Sequence, residues 1–139
     1  MSQPETVSVD AMGGDHGPRI IIEGIDVVLK RRPNISPRFL VHGDEAVLAP
    51  LVAAASERAR AAIEIRHTDS EVRMTDKPSE AVRRARGSSM WNAMLSVKEG
   101  EANVAVSCGN TGALMAISKV VLRMKKGIHR PAIAASWPT

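Results

Sequence analysis

The chain has 139 residues, 44% hydrophobic and 24% charged, which is enough apolar material for one packed domain and excludes a disordered chain. Aromatic residues make up only 2% (Phe39, Trp91 and Trp137), so the core must be aliphatic and no stacking platform for single-stranded nucleic acid exists. The formal net charge of +4 is mildly basic, and with no recognition motif beside it no nucleic-acid partner is expected.

A short β-branched run, a polar or glycine-rich loop and a helical stretch alternate along the chain. TVSVD at residues 6–10 puts Val7 and Val9 on one side, as a strand does. A glycine loop over 11–17 follows, and Pro18 suits the first turn of a helix running to about Lys30, with Ile21, Ile25, Val28 and Leu29 on its apolar face. RFLVH at 38–42 predicts a second strand, and Gly43-Asp44 turns the chain into one helix over about 45–60, despite Pro50. IEIRH at 63–67 predicts a third strand, followed by a polar loop over 68–77. Pro78 opens a short helix to about Arg86. Ser88 or Ser89 caps the next, which has Met90, Met94 and Val97 at helical spacing and stops at Gly100. NVAVS at 103–107 predicts a fourth strand, a second glycine loop occupies 108–112, and a helix runs to about Met124. AIAAS at 132–136 predicts a fifth strand.

Strands alternating with helices imply a mainly parallel sheet of about five strands, covered by helices on both faces. Ligands in such sheets bind beyond the carboxyl ends of the strands. Both glycine loops, Gly43-Asp44 and the 68–77 loop follow strands, so all are expected at one edge.

The first loop, DAMGGDHGP at 10–18, places Gly13 and Gly14 where the backbone can turn tightly and present N–H groups to an anion, with a helix start behind them. Asp10 and Asp15 flank the glycines and could orient cations or hold a water or metal. The plain alternative is a tight strand-to-helix turn. The second loop, SCGNTG at 107–112, offers successive amides with the Ser107 and Thr111 hydroxyls, suited to phosphate or an oxyanion. The alternative there is a turn capped by Thr111. Cys108 sits where a helix start could activate a thiol, against the simpler reading of a small residue buried at a strand end. His16, His42, His67 and His129 have no metal-ligand spacing and are expected in loops or on the surface, so no metal site and no cofactor are expected. Lys77, just before a helix, could meet phosphate or pair with Asp76 or Asp15.

Basic clusters at 30–32, 83–86 and 123–126 suit solvated helix ends, where cations complement the dipole, or a docking patch for an acidic partner. The single cysteine excludes an intramolecular disulfide, residues 1–5 lack a signal pattern, and no apolar run could span a bilayer, so a cytoplasmic location is expected.

Taken in order, SVDAMGGDHGP, MTDKPSEAVRR, SSM, VSCGNTGAL and PAIAASWPT closely resemble the phosphate acyltransferase family of fatty acid and phospholipid synthesis, over nearly the whole chain. The resemblance implies that inorganic phosphate attacks the thioester of acyl carrier protein, giving acyl phosphate and free carrier. It implies a three-layer α/β/α fold like that of the isocitrate and isopropylmalate dehydrogenases and phosphotransacetylase. By position it places Asp10, Gly13, Gly14, Asp15, Lys77, Ser88, Ser89, Ser107, Gly109, Asn110, Thr111 and Gly112 at or near the cleft. Among these, Asp10, Asp15, Lys77 and Asn110 are the candidate catalytic residues, and the others are candidates for substrate or phosphate binding. Acyl carrier protein, phosphate, a homodimer partner, a membrane surface and an acyltransferase partner are the associations it implies. Residues 1–139 then form the N-terminal portion of one acyltransferase domain, expected to be inactive alone. A coenzyme A-dependent phosphate acetyltransferase and a non-catalytic phosphate- or nucleotide-binding module are the alternatives.

Overall fold

A computed structural model describes residues 4–137. Its centre is a four-stranded, all-parallel sheet: β1 (Thr6–Asp10), β2 (Arg38–Gly43), β3 (Ile63–His67) and β4 (Val104–Ser107), in the spatial order β3-β2-β1-β4. The register sets Asp10 beside His42 on one side and Ser107 on the other. The fifth strand expected over 132–136 does not form, and Ile133 there is 70% exposed. No described strand pairs with that segment, and an extended run without a ladder partner has no place for its backbone groups.

Helix α1 (Gly17–Arg31) covers one face with α2 (Glu45–Ala54) and α3 (Glu57–Ala62). The alternation along the strands builds this core: Val9, Phe39 and Val41 are buried with Ile22, Ile25, Leu29 and Leu48, and Val7, Ile63 and Ile65 pack against them. The single helix expected over 45–60 is two. Ser56 leaves the helical path, its hydroxyl accepts from the Ala59 amide and donates to Asp26, and a new helix starts there.

On the opposite face lie α4 (Pro78–Arg84), α5 (Ser89–Lys98) and α6 (Thr111–Val121). Met90, Met94, Ala81, Ala113, Ile117 and Val121 form a second core there. α6 stops at Val121, short of the expected Met124; Arg123 takes a φ of 65°, which ends helical geometry. No helix among the described residues is long and apolar enough to cross a membrane.

The sheet face beneath α5 carries a buried histidine, contrary to the surface position expected for His42. The ring is 3% exposed, with Nε2 3.0 Å from Ser8 Oγ and 3.3 Å from Ser96 Oγ, while Nδ1 has no partner among the described residues. His42 therefore ties β1, β2 and α5 together. Burial, with the Arg66 charge nearby, pushes its pKa down from 6.5 to about 4. The unfolded chain takes a proton on this ring near its ordinary pKa, and the folded chain resists until about pH 4. Stability from this group is therefore full above pH 6.5 and is lost as pH falls towards 4, by about 3 kcal/mol at most. Urea unfolding between pH 7.5 and 4.5 should show this decline, and His42→Gln should flatten it. A decline identical in the two proteins would remove His42 as its cause.

Candidate functional site

All four strands point their carboxyl ends to one edge, and the two glycine loops meet there. The contact is backbone to backbone. A Cβ built on Gly13 would lie 3.0 Å from Gly109 Cα, and one built on Gly109 would lie 3.2 Å from Gly13 Cα. Gly14 adopts a φ of 105°, and a Cβ there would stand 3.1 Å from the Cys108 carbonyl oxygen. The expected shared edge is what the structure shows, and the approach is close enough that side chains are excluded at both loops.

Asp10 wires the loops together. Its carboxylate is 1% exposed; Oδ1 accepts from the amides of Met12 at 3.3 Å and Gly13 at 3.2 Å, and Oδ2 accepts from Ser107 Oγ at 2.8 Å. Ser107 Oγ in turn accepts from the Gly109 amide at 3.1 Å. Thus Asp10 holds amides and a hydroxyl, not the cation that its sequence context suggested. Asp15 is exposed, and no ion pair or side-chain hydrogen bond among the described residues involves it.

Asn110 holds the third loop. Its Oδ1 accepts from the Ala113 amide at 3.1 Å and caps α6, the role expected of Thr111. Its Nδ2 donates to the carbonyls of Asp76 at 2.7 Å, Met74 at 3.2 Å and Arg73 at 3.3 Å. Asp76 closes the same turn by accepting from the Arg73 amide at 2.9 Å. One side chain therefore fixes the start of α6 and the loop that leads into α4. The two helices touch at their first turns, where a Cβ on Gly112 would fall 2.7 Å from Pro78 Cγ. Lys77, the N-cap of α4, is exposed beside this junction and forms no ion pair among the described residues.

Ser88 and Ser89 are placed deeper. Ser88 is 1% exposed and caps α5 through the Trp91 amide, while the Ser89 amide donates to the Ser70 carbonyl at 3.0 Å. The Ser89 hydroxyl is buried without a partner among the described residues. Met90, fully buried, forms the floor of the second glycine loop: its Cε is 3.1 Å from where a Gly109 Cβ would be. Helical spacing marked Met90 as core, and only the fold shows which loop it supports.

The amides left free define what the edge can bind. Gly13 donates to Asp10, Gly109 to Ser107, Ala113 to the Asn110 side chain and Leu114 to the Asn110 carbonyl. The amides of Asn110, Thr111 and Gly112 have no acceptor among the described residues, and they stand at the positive end of the α6 dipole. Thr111, exposed at the first helical position, adds a hydroxyl. This is an anion-binding arrangement. Beside it, Met12, Asp44, His67, Thr68, Asp69, Ser70 and Glu71 line an open recess of opposite character. There His67 accepts from the Glu45 amide through Nδ1, and Nε2 meets Asp69 at 2.8 Å; this hydrogen bond raises its pKa.

Residues 5–139 match the model of a family described as fatty acid synthesis protein. The chain belongs to that family. Similar curated proteins are named phosphate acyltransferase. The one from Maricaulis maris is 66% identical over 139 residues, covering 100% of this chain and 39% of the relative. That from Caulobacter vibrioides is 53% identical over 139 residues, covering 100% and 38%. That from Rhodobacter capsulatus is 49% identical over 138 residues, covering 99% and 34%. The chain therefore spans well under half the length of these members of the family.

Proposed function

We propose that this edge is the phosphate and oxyanion part of a phosphate acyltransferase site. Inorganic phosphate attacks the thioester carbonyl of acyl carrier protein, the new carbon–oxygen bond forms, the carbon–sulfur bond breaks, and the products are acyl phosphate and the free carrier thiol. The observation that carries this reading is the set of three unpartnered amides at residues 110–112, in a loop locked against a second glycine loop. The names of the relatives support it.

The Asn110, Thr111 and Gly112 amides, with the Thr111 hydroxyl, hold phosphate or the developing oxyanion. Lys77 offsets phosphate charge. Asp10, Ser107 and the Asn110 side chain position these groups and do not touch substrate. Phosphate is a weak nucleophile when fully hydrated, so fixing it beside the thioester supplies much of the rate. The test is acyl phosphate formation by the full-length polypeptide, with acyl carrier protein and coenzyme A thioesters side by side. Turnover of carrier thioesters is expected. Turnover of coenzyme A thioesters alone would favour a phosphate acetyltransferase-like enzyme, and phosphate binding with no turnover would leave a binding module.

Cys108, for which the simpler expectation was a small residue buried at a strand end, is instead exposed at the mouth of the second loop. Phosphate itself is the nucleophile here, so Cys108→Ala should keep activity within about threefold. An acyl-cysteine intermediate, or a loss above about a thousandfold, would overturn the direct attack.

A further inference from the structure

We propose that the acid-lined recess beyond the carboxyl ends of β2 and β3 is an effector site for a small guanidinium compound; only its coupling to phosphate rests on the reading of the site given above. The recess encloses about 290 Å³, close to the roughly 300 Å³ at which small-ligand sites begin. Three carboxylates border it. Asp44 stands on the turn between β2 and α2, and Asp69 and Glu71 stand on the loop after β3. Among the described residues neither Asp44 nor Glu71 forms an ion pair, and Asp69 meets only His67. His67 is the one lining residue that can carry positive charge. The Glu45 amide donates to its Nδ1, so the neutral ring keeps its proton on Nε2, towards Asp69. The groove on the far side of Glu71, lined also by Asp76, Glu80 and Arg84, holds more acid than base. The recess therefore concentrates negative potential.

A second observation points to a ligand. Thr68 is 5% exposed and lines the same recess, and its hydroxyl has no partner among the described residues. A buried hydroxyl left unpaired costs free energy that a donor entering the recess recovers. The geometry also selects the kind of cation. No three carboxylate, imidazole or thiol groups among the described residues converge as metal ligands do. The acceptors lie on two separate segments, which suits a planar guanidinium whose N–H donors reach several acceptors at once. Asp44 Oδ1 is taken by the Ala46 amide, and its other oxygen is left for the ligand. The Met12 side chain lies across Gly43, its Sδ 2.9 Å from where a Cβ would be, and gives an alkyl stem an apolar wall. One loop joins this site to the second glycine loop. Residues 68–71 border the recess, and the Arg73, Met74 and Asp76 carbonyls of the same loop bind the Asn110 side chain. A bound cation offsets negative charge at this edge and steadies the loop that carries Lys77, so phosphate binds more tightly.

The test titrates butylguanidinium into the full-length polypeptide and follows its methionine methyl groups by NMR. The Met12 signal, identified by its loss in Met12→Leu, should shift saturably. The Met90 signal, fully buried under the second loop, should stay in place. Asp44→Asn keeps a residue that caps α2 and should weaken binding about tenfold. Thr68→Val should weaken it about threefold and leave the melting temperature at or above that of the parent, because an unpaired buried hydroxyl is removed. Absence of a saturable Met12 shift, or unchanged binding in Asp44→Asn, would overturn the site. So would magnesium ion shifting Met12 at a lower concentration than butylguanidinium. With the site saturated, the KM for phosphate should fall about twofold or more in the parent and not in Asp44→Asn. A KM that does not move would overturn the effector role. If Met12 shifts as expected and yet no acyl phosphate forms with or without the ligand, the cation site stands and the proposed reaction falls.

Discussion

Gly13→Ala is expected to destabilise the protein by about 3 kcal/mol, lowering the melting temperature by roughly 10 °C, and to cut the proposed acyl phosphate formation by the full-length polypeptide at least a hundredfold. The added methyl would lie 2.6 Å from Asp10 Oδ2 and 3.0 Å from the Cα and N of Gly109. Neither neighbour can give way cheaply. Asp10 is 1% exposed and held by two amides and a hydroxyl, and Gly109 presents backbone. The loops must part, which breaks the Asp10–Ser107–Gly109 chain of hydrogen bonds and shifts the free amides behind it. Gly24→Ala provides the control: Gly24 lies within α1, is exposed, and has nothing within 4 Å of a new Cβ. It should stabilise by about 0.5–1 kcal/mol through helix propensity alone. Thermal melts and initial rates of the two variants decide the matter. If both melt within a degree or two of the parent, the loop contact is not as tight as described.

The second large effect is expected at Asn110, where the near-isosteric Asn110→Asp should do as much damage as Asn110→Ala. Aspartate caps helices well and would keep the bond to the Ala113 amide. It would, however, replace the Nδ2 donor with an oxygen facing three carbonyls, at 2.7, 3.2 and 3.3 Å. Loss of those bonds and repulsion in their place should cost about 2–3 kcal/mol in either variant. The loop bearing Lys77 would loosen, so in the full-length polypeptide the KM for phosphate in the proposed reaction should rise about tenfold or more in both. Chemical denaturation separates the two functions of the side chain. Were Asn110→Asp as stable as the parent, the cap alone would matter and the loop clamp would be idle.

Much of the architecture follows from local pattern. Alternation in TVSVD, RFLVH and IEIRH marks which strand residues face the first core, and Val9, Phe39, Val41, Ile63 and Ile65 do so. Pro18 and Pro78 stand in the first turns of α1 and α4, as their fixed φ favours. Strand–loop–helix alternation was enough to put both glycine loops on one edge, because parallel strands must all end at the same side. The order of motifs was enough to indicate the family to which the chain belongs.

Other features depend on residues far apart in the chain. Asn110 looks like any helix cap in sequence, and its other partners lie 34–37 residues away in the 68–77 loop. His42 sits at the end of a strand, as a surface histidine would, and only packing of α5 over the sheet buries it between Ser8 and Ser96. Asp10 beside two glycines suggested a partner for cations, whereas the register of β1 with β4 supplies Ser107 instead. The sequence by itself determined the first four strands, the face that β1, β2 and β3 present to the first core and the edge where the loops gather, because those are set by side-chain period and chain direction; it put Val28 on the apolar face of α1, where the fold leaves it 44% exposed and buries Ile22 instead. Which amides remain free at that edge was decided only by tertiary structure, because a hydrogen bond is satisfied by whatever the fold brings within about 3 Å, and no local pattern encodes that distance.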